Sequence, residues 1–428
     1  MFTRLQHLLQ STSGWVIKWR QNYRFSAASA YHTYLYRMAN LKFRADVLFT
    51  GRELRDDQSV LVLDDDKKVV DIIALADAGD DVQYHPGWLL PGLINCHCHL
   101  ELSHLHKLVP EQTGLVDFVM TVMKQRHFPE AEIQQASEAA EQQMLRQGIV
   151  AVGDICNTAH TLPVKQAGRM QYRNFVEVSG FVPQTAAMRF QQAEAVYNQF
   201  AQAGMEQQTA IVPHAPYSVS GALFGLINAH SAGKRITMHN QETLAEERFF
   251  VDGQSDFRRL YTGFGIDISF YQAPGKSSLQ ACLPLLNQTG GIVLVHNTFT
   301  SEADIAFALQ TGEPVYWALC PNANRYIENR MPPVPMLLKN EVNIVLGTDS
   351  LASNHQLSIL SEIQTISRHY PEVPLHTMLQ WATLNGAQAL GLDALLGSFD
   401  PGKQPGVVNI TGVENNVLQA NAAVQRIV

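Results

Sequence analysis

The segment Asn95-Cys96-His97-Cys98-His99 puts two histidines two residues apart, directly after the apolar run Leu89-Leu90-Pro91-Gly92-Leu93-Ile94. In extended backbone such residues point to one side, so two imidazoles can face one cation. Cys96 and Cys98 then face the other way and read as small core residues. A lone His-x-His is weak evidence, and a second copy at His104 and His106 reads as solvated loop histidines. The other rare groups add weight. His214 follows Ala210-Ile211-Val212-Pro213, His239 follows Ile236-Thr237-Met238, His296 follows Val293-Leu294-Val295, and Asp349 follows Val345-Leu346-Gly347-Thr348. Three imidazoles and one carboxylate suit a zinc-like ion with a position left open for water, whereas Ca²⁺ or Mg²⁺ would want mostly oxygen donors. Glu242, in His239-Asn240-Gln241-Glu242, stands where it could move a proton to or from a substrate beside the cation. It reads equally well as a first-turn helix acid, with Glu246 and Glu247 nearby.

Positioning these groups requires a particular scaffold. Short apolar, β-branched runs at 88–95, 149–154, 173–178, 209–212, 235–238, 291–295, 315–319 and 342–346 alternate with helical stretches at 129–146, 186–202, 221–232, 301–310 and 355–368. Strands alternating with helical crossovers predict an α/β chain with a (β/α)₈ TIM barrel, a doubly wound sheet being the alternative. The histidines and Asp349 then fall at the C-terminal strand ends, which converge on one face of a barrel. Short β segments at 43–50, 59–63 and 69–75, with another at 407–411 after the helical stretch 377–390, predict a small discontinuous β-sandwich domain built from both chain ends. The expected organisation is an N-terminal extension (1–37), a first sandwich segment (38–90), the barrel (91–390) and a second sandwich segment (391–428). No internal repeat of fixed period is present, and Ala273-Pro274-Gly275-Lys276-Ser277 lacks the first glycine of a phosphate loop.

The 428 residues carry a net charge of -8, with 46% apolar and 16% charged residues, an ordinary globular composition without the basic footprint of a nucleic-acid binder. A small-molecule partner is expected. The five cysteines are too few and scattered for a disulfide framework, and together with the lack of an apolar run near the roughly 20 residues of a membrane span they predict a cytoplasmic protein needing no membrane. No Asp or Glu precedes Asp46, while Arg4, Lys18, Arg20, Arg24, Arg37, Lys42 and Arg44 do. An upstream mis-assigned start, an amphipathic membrane-surface segment and a helical cap each account for that opening, and the first is favoured.

Taken in order, Pro-Gly-x-Ile-Asn-x-His-x-His ending at His99, His214-Ala215-Pro216-Tyr217-Ser218, the His-x-x-Glu at His239 to Glu242, Cys320-Pro321-Asn322-Ala323-Asn324, and Leu346-Gly347-Thr348-Asp349-Ser350 with Ala352-Ser353-Asn354 resemble the amidohydrolase superfamily. The likeness spans about Asn40 to Ile410. It is strongest to the metal-dependent aminohydrolase branch, which deaminates purines, S-adenosylhomocysteine and related heterocycles and includes guanine deaminases and chlorohydrolases. The resemblance implies that His97, His99, His239 and Asp349 hold one divalent metal, zinc before iron, nickel or manganese. It also implies that Glu242, His296 and Asp349 handle protons and charge, and that His214 contacts substrate. Two departures stand out: Gln241, where relatives often carry a small or apolar residue, and Pro405-Gly406, where an acidic-Ala pair is usual. Kinship also implies a homodimer.

The implied reaction is hydrolytic deamination: the metal lowers the pKa of a water, Asp349 accepts its proton, Glu242 protonates the ring nitrogen, and His296 polarises the oxyanion or orients the water. Within the branch, His-Leu-Glu-Leu-Ser, Pro274 to Ser278, His296-Asn297-Thr298 and Tyr326 to Arg330 look most like aminodeoxyfutalosine deaminases of menaquinone synthesis, which convert 6-aminodeoxyfutalosine to futalosine and ammonia. Glu101 could bridge vicinal ribose hydroxyls or be a solvated loop acid. Asn322, Asn324, Glu328 and Arg330 are candidate contacts to the distal part of the substrate. Deamination of S-adenosylhomocysteine, adenosine or guanine, a chlorohydrolase or an imidazolonepropionase-like hydrolase would use the same site. A non-enzymatic metal-binding protein would have no need of Glu242 and His296.

Overall fold

The computed structural model describes residues 41–428, so the acid-free opening and the expectations attached to it lie outside the described residues. Strands β1 (Leu41–Phe49), β2 (Leu54–Arg55), β3 (Ser59–Leu63), β4 (Val69–Ala74) and β5 (Gln83–Pro91) join β14 (Val407–Glu414) and β15 (Val417–Arg426) in a seven-stranded sheet. Its order is β15-β14-β5-β1-β3-β4, with β2 on β1. It is a single hydrogen-bonded sheet, not the two facing sheets of the expected sandwich. On β3 the alternation sends Leu61 and Leu63 into one small core, with Phe43, Leu89 and Phe399, and Val60 and Val62 into another. Both faces are covered, which is why the run reads as continuously apolar. The turn from Gly397 to Lys403 is fastened to this sheet: the Phe399 amide donates to Thr50 O and the Gly402 amide to Val69 O, both at 2.8 Å.

The apolar run 88–95 is not one strand. It divides at Gly92 into the end of β5 and the start of β6 (Leu93–Cys98), which belong to different sheets. A Cβ at Gly92 would lie 2.3 Å from Val150 Cγ1 and 2.7 Å from Pro405 O, so the chain can cross here only without a side chain. The end of β5 and the whole of β6 are buried, and periodicity therefore gives no mark at the crossing. Strand β15 was also missed, because its residues are mostly exposed or half-buried. Its hairpin signal was present in Asn415-Asn416, whose φ values of 50° and 63° match a tight two-residue turn.

Two four-stranded parallel sheets follow, β6 with β7 (Ile149–Cys156), β8 (Gln171–Val178) and β9 (Thr209–Pro213), then β10 (Ile236–Asn240) with β11 (Ile292–His296), β12 (Val315–Leu319) and β13 (Asn343–Leu346). Neighbours are sequential and parallel throughout, which excludes the doubly wound alternative, where the order reverses. Helices such as Glu130–Arg146, Ala186–Phe200, Gly221–His230, Glu302–Gln310 and Ile359–His369 supply the crossovers. The sheets do not close into one continuous ladder. At one seam the His239 amide donates to His214 O at 2.9 Å; at the other the Thr348 and Asp349 amides both donate to His97 O at 3.0 Å. No helix of the described residues is long and apolar enough to cross a membrane.

Beneath the first strand end lies a fully buried ion pair, Lys165 Nζ to Asp154 Oδ2 at 2.6 Å. The other oxygen of Asp154 accepts the Leu100 amide at 2.8 Å, anchoring the chain just after His99. Lys165→Met leaves a buried carboxylate without its cation and is expected to cost about 3–5 kcal/mol in denaturant unfolding, with Asp154→Asn added to it recovering some of the loss.

Candidate metal centre and active site

His97 on β6, His99 just after it, His239 on β10 and Asp349 after β13 converge at the strand ends, and all four are buried. The Nε2 atom of His99 lies 3.2 Å from that of His97 and 3.3 Å from that of His239. Asp349 Oδ1 is 3.3 Å from His99 Nε2 and 3.6 Å from His97 Nε2. Donors about 2.0–2.1 Å from a tetrahedral zinc stand about 3.4 Å from one another, so this set matches the spacing such a cation imposes. The chemistry also matches. Burial holds the His97 and His99 imidazoles below their ordinary range, keeping lone pairs available. Burial opposes ionisation of Asp349, yet the hydrogen bond with His97 and the nearby His99 and His296 hold it well below the usual carboxylate range.

Two of the four donors are oriented from behind. His239 Nδ1 faces His214 O at 2.8 Å, which fixes the tautomer that leaves Nε2 free. Ser353 Oγ donates to Asp349 Oδ2 at 2.6 Å. Asn354 Nδ2 donates to Thr348 O and to Glu362 Oε1, both at 2.9 Å, and so steadies the turn that carries Asp349. The backbone is left-handed at Gln241, His296, Asn297 and Asp349, with φ of 48°, 76°, 55° and 57°. Such conformations in residues other than glycine are costly and persist only where the surroundings impose them. Gln241, the departure noted in the sequence, itself contributes to that constraint. It donates to Asp304 Oδ2 at 2.9 Å and accepts from Thr300 Oγ1 at 2.8 Å, while its amide is held by Glu246 at 3.0 Å. Pro405 lies far from the centre, at the sheet crossing, where its carbonyl accepts the Gly92 amide at 3.1 Å.

Glu242 and His296 face each other, Oε1 to Nε2 at 3.5 Å. Burial pushes the Glu242 carboxyl well above its usual range. Burial likewise lowers His296. Asn324 donates to Thr298 Oγ1 at 2.8 Å, so its oxygen is left to accept from His296 Nδ1, also at 2.8 Å. His296 Nε2 is then the basic nitrogen, aimed at Glu242. These groups line a cavity of about 100 Å³ together with His214 and Glu177. Its opposite wall is the helix Leu115–Gln125, which contributes Leu115, Phe118, Val119, Val122 and Met123. That helix was not read from the sequence, although the i, i+3, i+4, i+7 spacing was there to find.

The remaining candidates fall elsewhere. Both oxygens of Glu101 are taken, by Arg126 Nη2 and the Asn157 amide on one side and by the Thr158 amide and hydroxyl on the other. Asn322 is committed to Glu362, Ser361 and Thr365, and Glu328 Oε1 accepts the Leu115 amide at 2.9 Å. Arg330 is exposed and stacks over Phe299. None of these four lines the cavity. Asn324 acts on His296 instead of facing a ligand. Glu177, inside the apolar run of β8, was missed; an acid within such a run was the available signal.

Residues 88–424 match the Amidohydrolase family, so the chain belongs to it and is a hydrolase acting on carbon–nitrogen bonds. The 5-methylthioadenosine/S-adenosylhomocysteine deaminase of Teredinibacter turnerae is 28% identical over 345 residues, covering 76% of this chain and 72% of the relative. Among solved structures, Helicobacter pylori aminofutalosine deaminase in complex with methylthio-coformycin aligns with a TM-score of 0.73 at 22% identity, over 87% of this chain and 93% of the other. An adenosine deaminase from Xanthomonas campestris with bound zinc aligns with a TM-score of 0.66 at 22% identity, over 87% and 84%. These two structural likenesses establish the fold.

Ser353→Ala removes the hydrogen bond to Asp349 and is expected to weaken cation binding about 10- to 100-fold, measured by competition with a chromophoric chelator, with the melting temperature of the metal-free protein little changed.

Proposed function

We propose that this member of the amidohydrolase family is a metal-dependent deaminase of an adenine-type nucleoside, working at the C-terminal strand ends of a (β/α)₈ barrel formed by residues 91–390. The observation that carries the reading is the pairing of two devices in one cavity: four converging donors suited to a cation, and the Glu242–His296 pair beside them. His97, His99, His239 and Asp349 would hold one divalent cation, for which zinc is the first choice given the chemistry of the donors. Bound there, it supplies a Lewis acid that makes a water acidic near neutral pH.

The chain's own residues do the rest. Asp349 takes a proton from the attacking water. Glu242, kept protonated by burial, delivers its proton to the ring nitrogen next to the attacked carbon and regains one from the added hydroxyl as the carbonyl forms, while the proton held by Asp349 goes to the departing amine. His296, held by Asn324, stabilises charge developing on the oxygen. The apolar face of the helix Leu115–Gln125 covers the heterocycle and limits water, strengthening each of these interactions. The products are ammonia and a ring carbonyl.

The preferred substrate is 6-aminodeoxyfutalosine, supported by the sequence motifs and by the close overlay with the Helicobacter pylori enzyme. A second reading, 5-methylthioadenosine or S-adenosylhomocysteine, is favoured by the Teredinibacter turnerae relative.

Zinc-loaded protein is expected to release ammonia from 6-aminodeoxyfutalosine at least ten times faster, in kcat/KM, than from 5-methylthioadenosine, S-adenosylhomocysteine, adenosine or guanine. A reversed order selects the second reading; no release from any of them refutes the deaminase. Glu242→Gln is expected to lower kcat by at least about 10²–10⁴-fold, the usual worth of general acid–base catalysis, while metal content stays at the wild-type level.

A further inference from the structure

Glu177 stands one residue before the end of β8, with its side chain 7% exposed and facing the cavity. Its Oε2 accepts from Asn157 Nδ2 at 3.0 Å. Its Oε1 has no hydrogen-bond partner. A buried carboxylate oxygen left without a donor is expensive, and native structures rarely tolerate one unless something else completes it. His239 does not, because its Nδ1, 3.4 Å from Glu177 Oε1, is already engaged with His214 O at 2.8 Å.

The surroundings indicate what would. Arg126, Asn157 and Glu177 form a polar strip along one side of a cavity whose other wall is the apolar helix Leu115–Gln125. Asn157 links the strip, accepting from Arg126 Nη2 at 3.1 Å and donating to Glu177. A cationic donor and an anionic acceptor side by side suit a group whose members both donate and accept, as neighbouring hydroxyls do. A flat heterocycle suits the apolar wall. Glu101, the acid expected from the sequence to meet a sugar, has its oxygens filled by four protein donors. Of the two, Glu177 is the one that retains a vacant acceptor.

We propose that Glu177 is a substrate-contacting residue that accepts hydrogen bonds from the sugar hydroxyls of a nucleoside, and so makes the site selective for nucleosides over free bases and deoxygenated analogues. This rests on the nucleoside reading above. The role is separable from a purely structural one, because loss of Glu177 then penalises only ligands that carry the hydroxyls.

The test compares zinc-loaded wild type, Glu177→Gln and Glu177→Ala at equal metal content. Ammonia release is measured from adenosine and 2′,3′-dideoxyadenosine, and calorimetric binding is measured for inosine and 2′,3′-dideoxyinosine. Wild type is expected to prefer the hydroxylated member of each pair by about 10- to 100-fold, as for a hydrogen bond to a charged group. Glu177→Ala is expected to abolish that preference, lowering the hydroxylated member of each pair about 10- to 100-fold more than its dideoxy partner, and Glu177→Gln is expected to fall between. Equal losses on both members of a pair, or a preference that survives Glu177→Ala, overturn the assignment. So does equal or undetectable binding of inosine and dideoxyinosine by wild type. Absence of ammonia release from every nucleoside, with the inosine preference intact, overturns the deaminase reading and leaves Glu177 as a hydroxyl-binding residue.

Discussion

Crowding three imidazole nitrogens and a carboxylate into a space little wider than one cation is unfavourable for the protein by itself. Lone pairs of His97, His99 and His239 meet at 3.2 and 3.3 Å inside a region that excludes water. The hydrogen bond between His97 and Asp349 offsets only part of that cost, so the fold must hold the cluster from outside. The structure does so with rigid strands that fix where each residue leaves the sheet, and with hydrogen bonds on the far side of His239 and Asp349. It also uses left-handed backbone at Gln241, His296 and Asp349, where the chain must turn a side chain inward immediately after a strand. Buried charges that look wasteful elsewhere, such as Asp154 with Lys165 and Glu246 on the Gln241 and Glu242 amides, hold the segments bearing these groups.

The same requirement explains what could be read directly. The residues proposed to face the metal and to handle protons are rare types at the ends of apolar strands, a contrast visible without coordinates. Cys96 and Cys98 could be assigned to the core because period-two geometry leaves no alternative once the histidines face inward, and both are fully buried. Substrate-facing residues were far less legible. Glu101, Asn322 and Glu328 are polar and sit near the motifs, yet each is engaged by partners as distant as Arg126, Thr365 and Leu115. Whether a polar group is free or spent depends on contacts across dozens of residues, which local sequence does not encode. Glu177 is the converse: it looks like an isolated acid in a strand, and only the unfilled Oε1 marks it.

Sheet boundaries were hidden for a different reason. The crossing at Gly92 falls inside a continuous apolar run because the last four residues of β5 and all of β6 are buried, so pattern reports burial and not partnership. The expected sandwich erred in the same way. Two small cores on opposite faces of one sheet produce the same alternation that two facing sheets would. The half-and-half division of the parallel strands is likewise invisible in sequence, since each strand ends and begins much like its neighbours.

The seven-stranded sheet has a consequence for how the chain comes to be folded at all. Strand β5 lies between β1, which is near it in sequence, and β14, which is more than three hundred residues further on. On a ribosome working from the N-terminus, one edge of β5 stays unpaired while the whole catalytic unit is being made. Until β14 is made that edge, with Trp88, Leu89 and Leu90 on it, is open to any other extended strand. The active site could therefore be assembled in space before the molecule is safe from pairing with a neighbour, and β14, remote from any chemistry, closes that window.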